Sequence, residues 1–234
     1  IRDRRETVAI TMRTPGDDFA LAAGFLYGEG VIASREEIAG IRYCTDVDEE
    51  QRYNVVNVRL RDDRLPDLER LERHFLVTSA CGVCGKAHLD ALAVRCDEPL
   101  PDGPRLSVDA LLALPGALRA GQELFASTGG LHAAGLFAPD GRLIALREDV
   151  GRHNAMDKLV GWALLEGRPT EAGVVCVSGR ASYELLQKAV AARMTFFASV
   201  SAPSSLAVDL ARRFGVTPVS YTHLRAHETV LDLV

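Results

Sequence analysis

Residues 173–201 read GVVCVSGRASYELLQKAVAARMTFFASVS, and the fold class turns on this stretch. Its two ends, GVVCVSG (173–179) and TFFASVS (195–201), are short apolar runs rich in Val and Phe, as expected of strands covered on both faces. Residues 181–193 between them read as a helix. A strand, a helix and a strand in succession predict parallel strands in a layered α/β unit. Downstream, a helix (204–213) and a further strand from Val216 continue the pattern. Upstream lie a helix over 152–166 and GLHAAGLFAPDGRLIALRED (130–149), two apolar runs around Pro139-Asp140-Gly141 that signal a hairpin.

Sheets of this kind take ligands beyond the carboxyl ends of their strands. Three loops expected there carry polar residues: EDVGRHN (148–154), SGRAS (178–182) and SAPSS (201–205).

The first hundred residues have a different rhythm. ETVAITMRT (6–14) alternates like a strand, Pro15-Gly16-Asp17-Asp18 supplies a turn and a helix start for DFALAAGFLYGEG, and YNVVNVRL (53–60) alternates again. LPDLERLERH (65–74) has helical spacing and leads into the glycine-flanked TSACGVCGK; KAHLDALAV reads as a short helix. CDEPLPDGPR (96–105), with three prolines in ten residues, reads as a linker. The expected organisation is therefore a smaller N-terminal α+β domain over residues 1–100, an α/β domain over 101–217, and a tail over 218–234, giving a chain that is α+β overall. Pro218 is expected to interrupt the last strand, and YTHLRAHET after it looks like translated adaptor sequence, so the tail is expected to be non-native or disordered. The absence of a leading Met adds the expectation of a trimmed N-terminus.

Composition narrows the function classes. At 234 residues with 47% hydrophobic and 25% charged residues, the chain is an ordinary globular protein able to bury a sizeable core. Its net charge of −5 argues against a general nucleic-acid binder. No apolar run approaches the roughly 18 residues that span a bilayer, so no membrane association is expected. Cysteines at 44, 81, 84, 96 and 176 are odd in number and scattered, which suits a reducing cytoplasm. Cys44, Cys96 and Cys176 read as packed thiols.

Cys81 and Cys84 admit three readings. They could be half of a structural zinc site, with His88 as a third ligand, but no second Cys pair is present to close a tetrahedron. They could be a redox dithiol, though that motif ordinarily follows a strand in a βαβ unit. They could also move sulfur: Lys86 and a helix start just beyond would stabilise a thiolate, the attacking form, and Gly82 and Gly85 leave the loop free to swing. GGLHAA (129–134) resembles the zinc deaminase signature except that Ala134 stands where the catalytic Glu belongs, which disfavours deamination. His132 could equally be a buried histidine satisfied by neighbouring backbone. EDVGRHNAMDKLVG (148–161) places Arg152, His153, Asn154, Asp157 and Lys158 at one helix start. That is either an anion site or simply a helix capped by Asp149 or Asn154 with solvated charges. SGRAS, with Ser178, Gly179 and Arg180, repeats the design, and two such loops suit a ligand with more than one phosphate.

Six segments together resemble the formate dehydrogenase accessory sulfurtransferase family, FdhD: RTPGDDFALAAGFLYGEGVI (13–32), SACGVCG (79–85), TGGLHAAGLF (128–137), REDVGRHNAMDKLVG (147–161), VSGRASYELLQKA (177–189) and SAPSSLAVDLARRFGVT (201–217). The resemblance implies a cytoplasmic sulfurtransferase that receives persulfide sulfur from a cysteine desulfurase. It would pass that sulfur to the bis-molybdopterin guanine dinucleotide form of the molybdenum cofactor, which formate dehydrogenase requires. On that resemblance Cys81 carries the persulfide and Cys84 assists transfer or resolves it. Gly130, His132, Arg152, His153, Asn154, Ser178 and Arg180 are then the expected cofactor-binding residues, and no permanently bound metal is expected. The cysteine desulfurase and formate dehydrogenase are the implied partners, with a homodimer left open. The resemblance also implies a three-layer, cytidine-deaminase-like C-terminal domain without the zinc site. The chain departs from the family after FGVT, where PVSYTHLRAHETVLDLV replaces the segment that contributes to cofactor binding. The rival readings are a zinc-stabilised binding module and a deaminase-like hydrolase.

Overall fold

The computed structural model describes residues 5–61, 100–222 and 225–227. The Cys81–Cys84 pair, His88, Cys96, the helix expected at 65–74 and the start of the linker lie outside these residues.

Helix α1 spans Asp18–Gly28. Strands β1 (Ile38–Tyr43) and β2 (Val56–Leu60) pair antiparallel into a small two-stranded sheet. Residues 6–14, expected as a strand, join no ladder among the described residues. Their alternation matches no buried face: Ile10 and Met12 are both well exposed, and side chains described below hold the segment instead.

The second half contains α2 (Val108–Ala120), α3 (Glu123–Thr128), β3 (His132–Phe137), β4 (Leu143–Asp149), α4 (Arg152–Leu165), β5 (Val174–Val177), α5 (Tyr183–Ala191), β6 (Phe196–Ser199), α6 (Ser205–Phe214), β7 (Thr217–Thr222) and β8 (Arg225–His227). The strands form one sheet in the order β4-β3-β5-β6-β7-β8. β5, β6 and β7 are parallel, and β3 runs antiparallel to both β4 and β5. β4 therefore points the same way as β5, β6 and β7. The carboxyl ends of β4, β5 and β6 and the amino end of β3 all reach one edge of the sheet, which gathers EDVGRHN, SGRAS, SAPSS and GGLH.

Alternation along the strands splits the core in two. Ala134, Leu136, Val175, Val177 and Phe197 pack with Met156, Leu159, Leu185, Leu186 and Leu210 of α4, α5 and α6. On the opposite face, Ala133, Phe137, Val174, Cys176 and Ala198 meet Leu114 and Leu118 of α2. The result is helix, sheet and helix in three layers, with apolar area removed from water on both sheet faces as the main stabilising term. Cys176 is fully buried there, and burial pushes its thiol up to about 12.

The halves of the chain meet where α1 lies against α4. Gly24 and Gly161 let the two backbones touch: a Cβ on Gly24 would stand on the Asp157 carbonyl, and one on Gly161 on the Ala20 carbonyl. Beside this crossing Lys188 Nζ lies 2.7 Å from Asp157 Oδ1 and 3.3 Å from Glu29 Oε1, tying α5 to α4 and to the end of α1.

Two prolines conceal elements from the sequence. Pro115 makes 108–120 look unlike a helix, yet it sits inside α2. Proline supplies no N–H to the carbonyl four residues back, here Leu111. The Tyr221 hydroxyl donates to that Leu111 carbonyl at 2.6 Å and replaces the missing partner. Tyr221 also corrects the expected tail: residues 217–222 do not leave the fold at 218 but form β7. Thr217 N donates to Thr195 O, so alternate residues of β7 face β6 and Pro218 turns its nitrogen to the other side. β8 pairs only with Ser220–Thr222, so no ladder bond is lost at Pro218.

Candidate functional site at the sheet edge

The site is built where β3 begins and β5 ends. His132 stands opposite Asp149 across the β3–β4 register. Ser178, the first residue past β5, donates its N–H to the Ala133 carbonyl at 3.0 Å, and its Oγ accepts from Ala133 N at 2.9 Å. Its Oγ also lies 3.4 Å from His132 Nδ1. Gly179 fits between neighbours: a Cβ there would lie 3.5 Å from Arg152 Cδ and 3.6 Å from His132 Nδ1. The GGLHAA, EDVGRHN and SGRAS stretches thus bring His132, Arg152, Ser178 and Gly179 together.

The electrostatics of this cluster favour neutral imidazoles beside a fixed cation. Burial, then the Arg152 charge, lower the His132 pKa. His153 is lowered further, to about 4, by burial and by the Arg152 and Lys188 charges, against a weaker pull from Glu184 and Glu29. His153 Nε2 lies 3.4 Å from Ser182 Oγ and 4.0 Å from Glu184 Oε2. Ser182 caps α5 by accepting from Leu185 N at 3.4 Å. Arg152 Nε is buried with no hydrogen-bond partner among the described residues. A buried guanidinium nitrogen left unpaired beside an open edge suits an anionic ligand.

Not every expected site residue belongs to this arrangement. Asn154 is spent on structure: its Nδ2 donates to Met12 O at 2.8 Å and to Asp149 Oδ1 at 3.0 Å. Neither Asp149 nor Asn154 caps α4, whose N-cap is Gly151. Asp149 instead accepts from Gly151 N at 3.0 Å and from Thr14 N at 3.1 Å. Thr14 completes the fastening, its Oγ1 accepting from Val150 N at 2.9 Å and its carbonyl from Lys158 Nζ at 2.8 Å. The charges around Asp149, Asn154 and Lys158 therefore bolt the segment 12–14 beneath the edge. Gly130 and Arg180 are both exposed on its rim. Ala134 is fully buried in β3 and offers no carboxylate to the edge.

Sequence reasoning missed this fastening and the contact between His153 and Ser182. The signal was present in RTPGDD (13–18), where polar and turn residues crowd between two apolar stretches, but its partner lies over a hundred residues away. RTPGDD is anchored a second time: Arg13 Nη2 pairs with Asp18 Oδ2 at 2.8 Å and donates to Tyr53 O at 2.8 Å, and Tyr43 OH donates to Asp18 Oδ2 at 2.9 Å. The loop thus joins the small sheet to the edge.

The sequence model of the FdhD/NarQ family matches residues 1–229. The chain is similar to the sulfur carrier protein FdhD of Streptomyces coelicolor, with 54% identity over 227 residues, covering 94% of this chain and 80% of that protein. It is similar to the sulfur carrier protein FdhD of Nocardia farcinica (51% identity, 94% and 79% covered) and of Mycobacterium tuberculosis (48% identity, 94% and 83% covered). Among solved structures it resembles a protein from Desulfotalea psychrophila assigned as a formate dehydrogenase accessory protein. The TM-score is 0.68 at 29% identity, over 93% of this chain and 79% of that one. No helix among the described residues is long and apolar enough to cross a membrane.

Proposed function

The chain belongs to the FdhD/NarQ family, and we propose that it is a sulfur carrier in formate dehydrogenase maturation, taking persulfide sulfur from a cysteine desulfurase and delivering it to the molybdenum cofactor. The observation that carries this reading is that the family's match spans nearly the whole chain, including Cys81 and Cys84. The sheet edge supports it by supplying Arg152 with an unpaired buried nitrogen beside His132, suited to phosphate oxygens of a guanine dinucleotide tail. Ser178 lies against His132 and His153 follows Arg152 in the chain, Gly130 and Arg180 are exposed, and Asn154 contributes by holding segment 12–14.

In this reading the Cys81 thiolate attacks the outer sulfur of the donor persulfide. The donor's inner sulfur leaves as a thiolate, and Cys81 becomes the persulfide. Cys84 thiolate then attacks the inner sulfur on Cys81, forming a Cys81–Cys84 disulfide and releasing hydrosulfide toward molybdenum. The two thiols supply both electrons, so the sulfur arrives at the sulfide level. The three-layer unit serves as a deaminase-like scaffold turned to binding, with Ala134 in place of a catalytic carboxylate.

Intact-mass analysis after incubation with a cysteine desulfurase and cysteine tests the carrier step. A gain of one sulfur atom is expected, lost in Cys81→Ala and largely kept in Cys84→Ala. An adduct that survives Cys81→Ala would defeat the assignment.

A further inference from the structure

We propose that Ser178 is a positioning residue: it fixes His132 as the tautomer protonated on Nε2, so that His132 and Arg152 donate together to one phosphate oxygen of a bound nucleotide tail. This rests on the reading of the sheet edge as the cofactor's docking site and states what these side chains do there.

The hydrogen-bond accounting at Ser178 leads to the tautomer. Its Oγ already accepts from Ala133 N at 2.9 Å, the bond that closes the β3–β5 ladder where β5 ends. A hydroxyl has one proton to give. Given to His132 Nδ1, 3.4 Å away, that proton makes the ring nitrogen an acceptor. An imidazole that accepts at Nδ1 and is neutral carries its proton on Nε2. Burial and the Arg152 charge both disfavour a second proton on this ring.

That arrangement leaves two donors uncommitted among the described residues, on side chains that both flank Gly179. Among the described residues none hydrogen-bonds His132 Nε2, and Arg152 Nε is buried without a partner. Arg152 and His132 approach the same loop, both lying within ordinary contact distance of a Cβ placed on Gly179. One cationic and one neutral donor recognise a phosphate oxygen without placing two charged groups side by side. Ser178 and His132 come from SGRAS and GGLHAA, stretches 46 positions apart in sequence that the β3–β5 pairing brings into register.

Long-range proton–nitrogen correlation spectra of the full chain labelled with nitrogen-15 histidine read the tautomer directly. The expected result is an Nε2–H tautomer for His132 in the wild type and in Ser178→Thr, and a mixture in Ser178→Ala. An Nδ1–H tautomer in the wild type overturns the proposal without recourse to any variant. GDP serves as the probe for the tail, with guanosine as the control lacking phosphate. The Kd for GDP is expected to rise about tenfold in Ser178→Ala, the worth of one good hydrogen bond, and to stay near wild type in Ser178→Thr. An unchanged Kd in Ser178→Ala overturns the phosphate contact. Failure of the wild type to bind GDP while His132 is the Nε2–H tautomer overturns the docking reading, and with it the phosphate contact, but not the role of Ser178 on His132.

Discussion

Lys158 Nζ lies 2.7 Å from Asp149 Oδ2, and the two side chains are only 2% and 0% exposed. A buried ion pair holds only when its remaining protons and lone pairs are used. Here they are: Lys158 also donates to Thr14 O at 2.8 Å and to Glu148 O at 3.3 Å, and Asp149 accepts from Thr14 N, Gly151 N and Asn154 Nδ2. The pair fastens the N-terminal segment to the start of α4.

Breaking this pair on one side is expected to be costly. Lys158→Met leaves a carboxylate buried and uncompensated, so urea unfolding should show a loss of about 3–5 kcal/mol. Adding Asp149→Asn removes the stranded charge, and the double variant should lose less than the sum of the singles. A loss below about 1 kcal/mol in Lys158→Met would show that the fastening does not hold the fold.

His153 gives the stability curve a slope in mild acid. Burial and the neighbouring Arg152 and Lys188 charges lower its folded pKa to about 4, from an ordinary 6.5. Between those values the unfolded chain binds the proton and the folded chain does not, so this contribution is complete above pH 6.5 and is lost as pH falls toward 4. With the side chain 35% exposed, solvent screening reduces the effect to about 1 kcal/mol. Asp157 works the other way, since burial outweighs its pairing with Lys188 and raises its pKa to about 6, making its stability loss appear as pH rises toward 6. Comparing wild type with His153→Gln isolates the histidine: as pH falls from 6.5 to 4, the wild type should lose about 1 kcal/mol more than the variant. Parallel curves across this range would remove His153 as the source.

Tyr221 tests whether residues 217–222 belong to the fold. Tyr221→Phe deletes the hydroxyl that serves Leu111 O and leaves that carbonyl unpaired. The expected loss is about 1–3 kcal/mol by thermal or urea unfolding. Adding Pro115→Ala in the same background should recover part of it, because the backbone N–H restored at that position can serve Leu111 in its place. Full stability in Tyr221→Phe would mean that the tyrosine merely lies against α2.

The β3–β4 hairpin and the β5-α5-β6 unit were legible in the sequence because Pro139-Asp140-Gly141 and the glycines at 173 and 179 punctuate apolar runs of strand length. The clustering of the GGLH, GRH and SGR loops followed, since parallel strands deliver their ends to one edge. β1 was missed because Ile38–Tyr43 carries Gly40 and Arg42 and buries little beyond Ile38. α2 was hidden by Pro115, and the continuation of the last strand past Pro218 was unexpected; their costs are met by Tyr221 and by an unpaired ladder position, neither visible locally. The contacts of Asp149, Asn154 and Lys158 with Met12 and Thr14 could not be read locally because those partners are distant in sequence. The pair Gly24 and Gly161 was equally silent, since only the crossing of α1 with α4 explains it.

The reversed direction of β3 has a practical corollary. Its connection to β4 closes at the opposite end of the sheet from His132, in a tight turn where Ala138 N donates to Arg142 O at 2.9 Å and Gly141 takes a φ of 86°. Extra residues or a fluorophore introduced around the exposed Asp140 would stand a full strand length from the edge that carries His132, so this tip is a suitable place to tether the protein to a surface while that edge is probed.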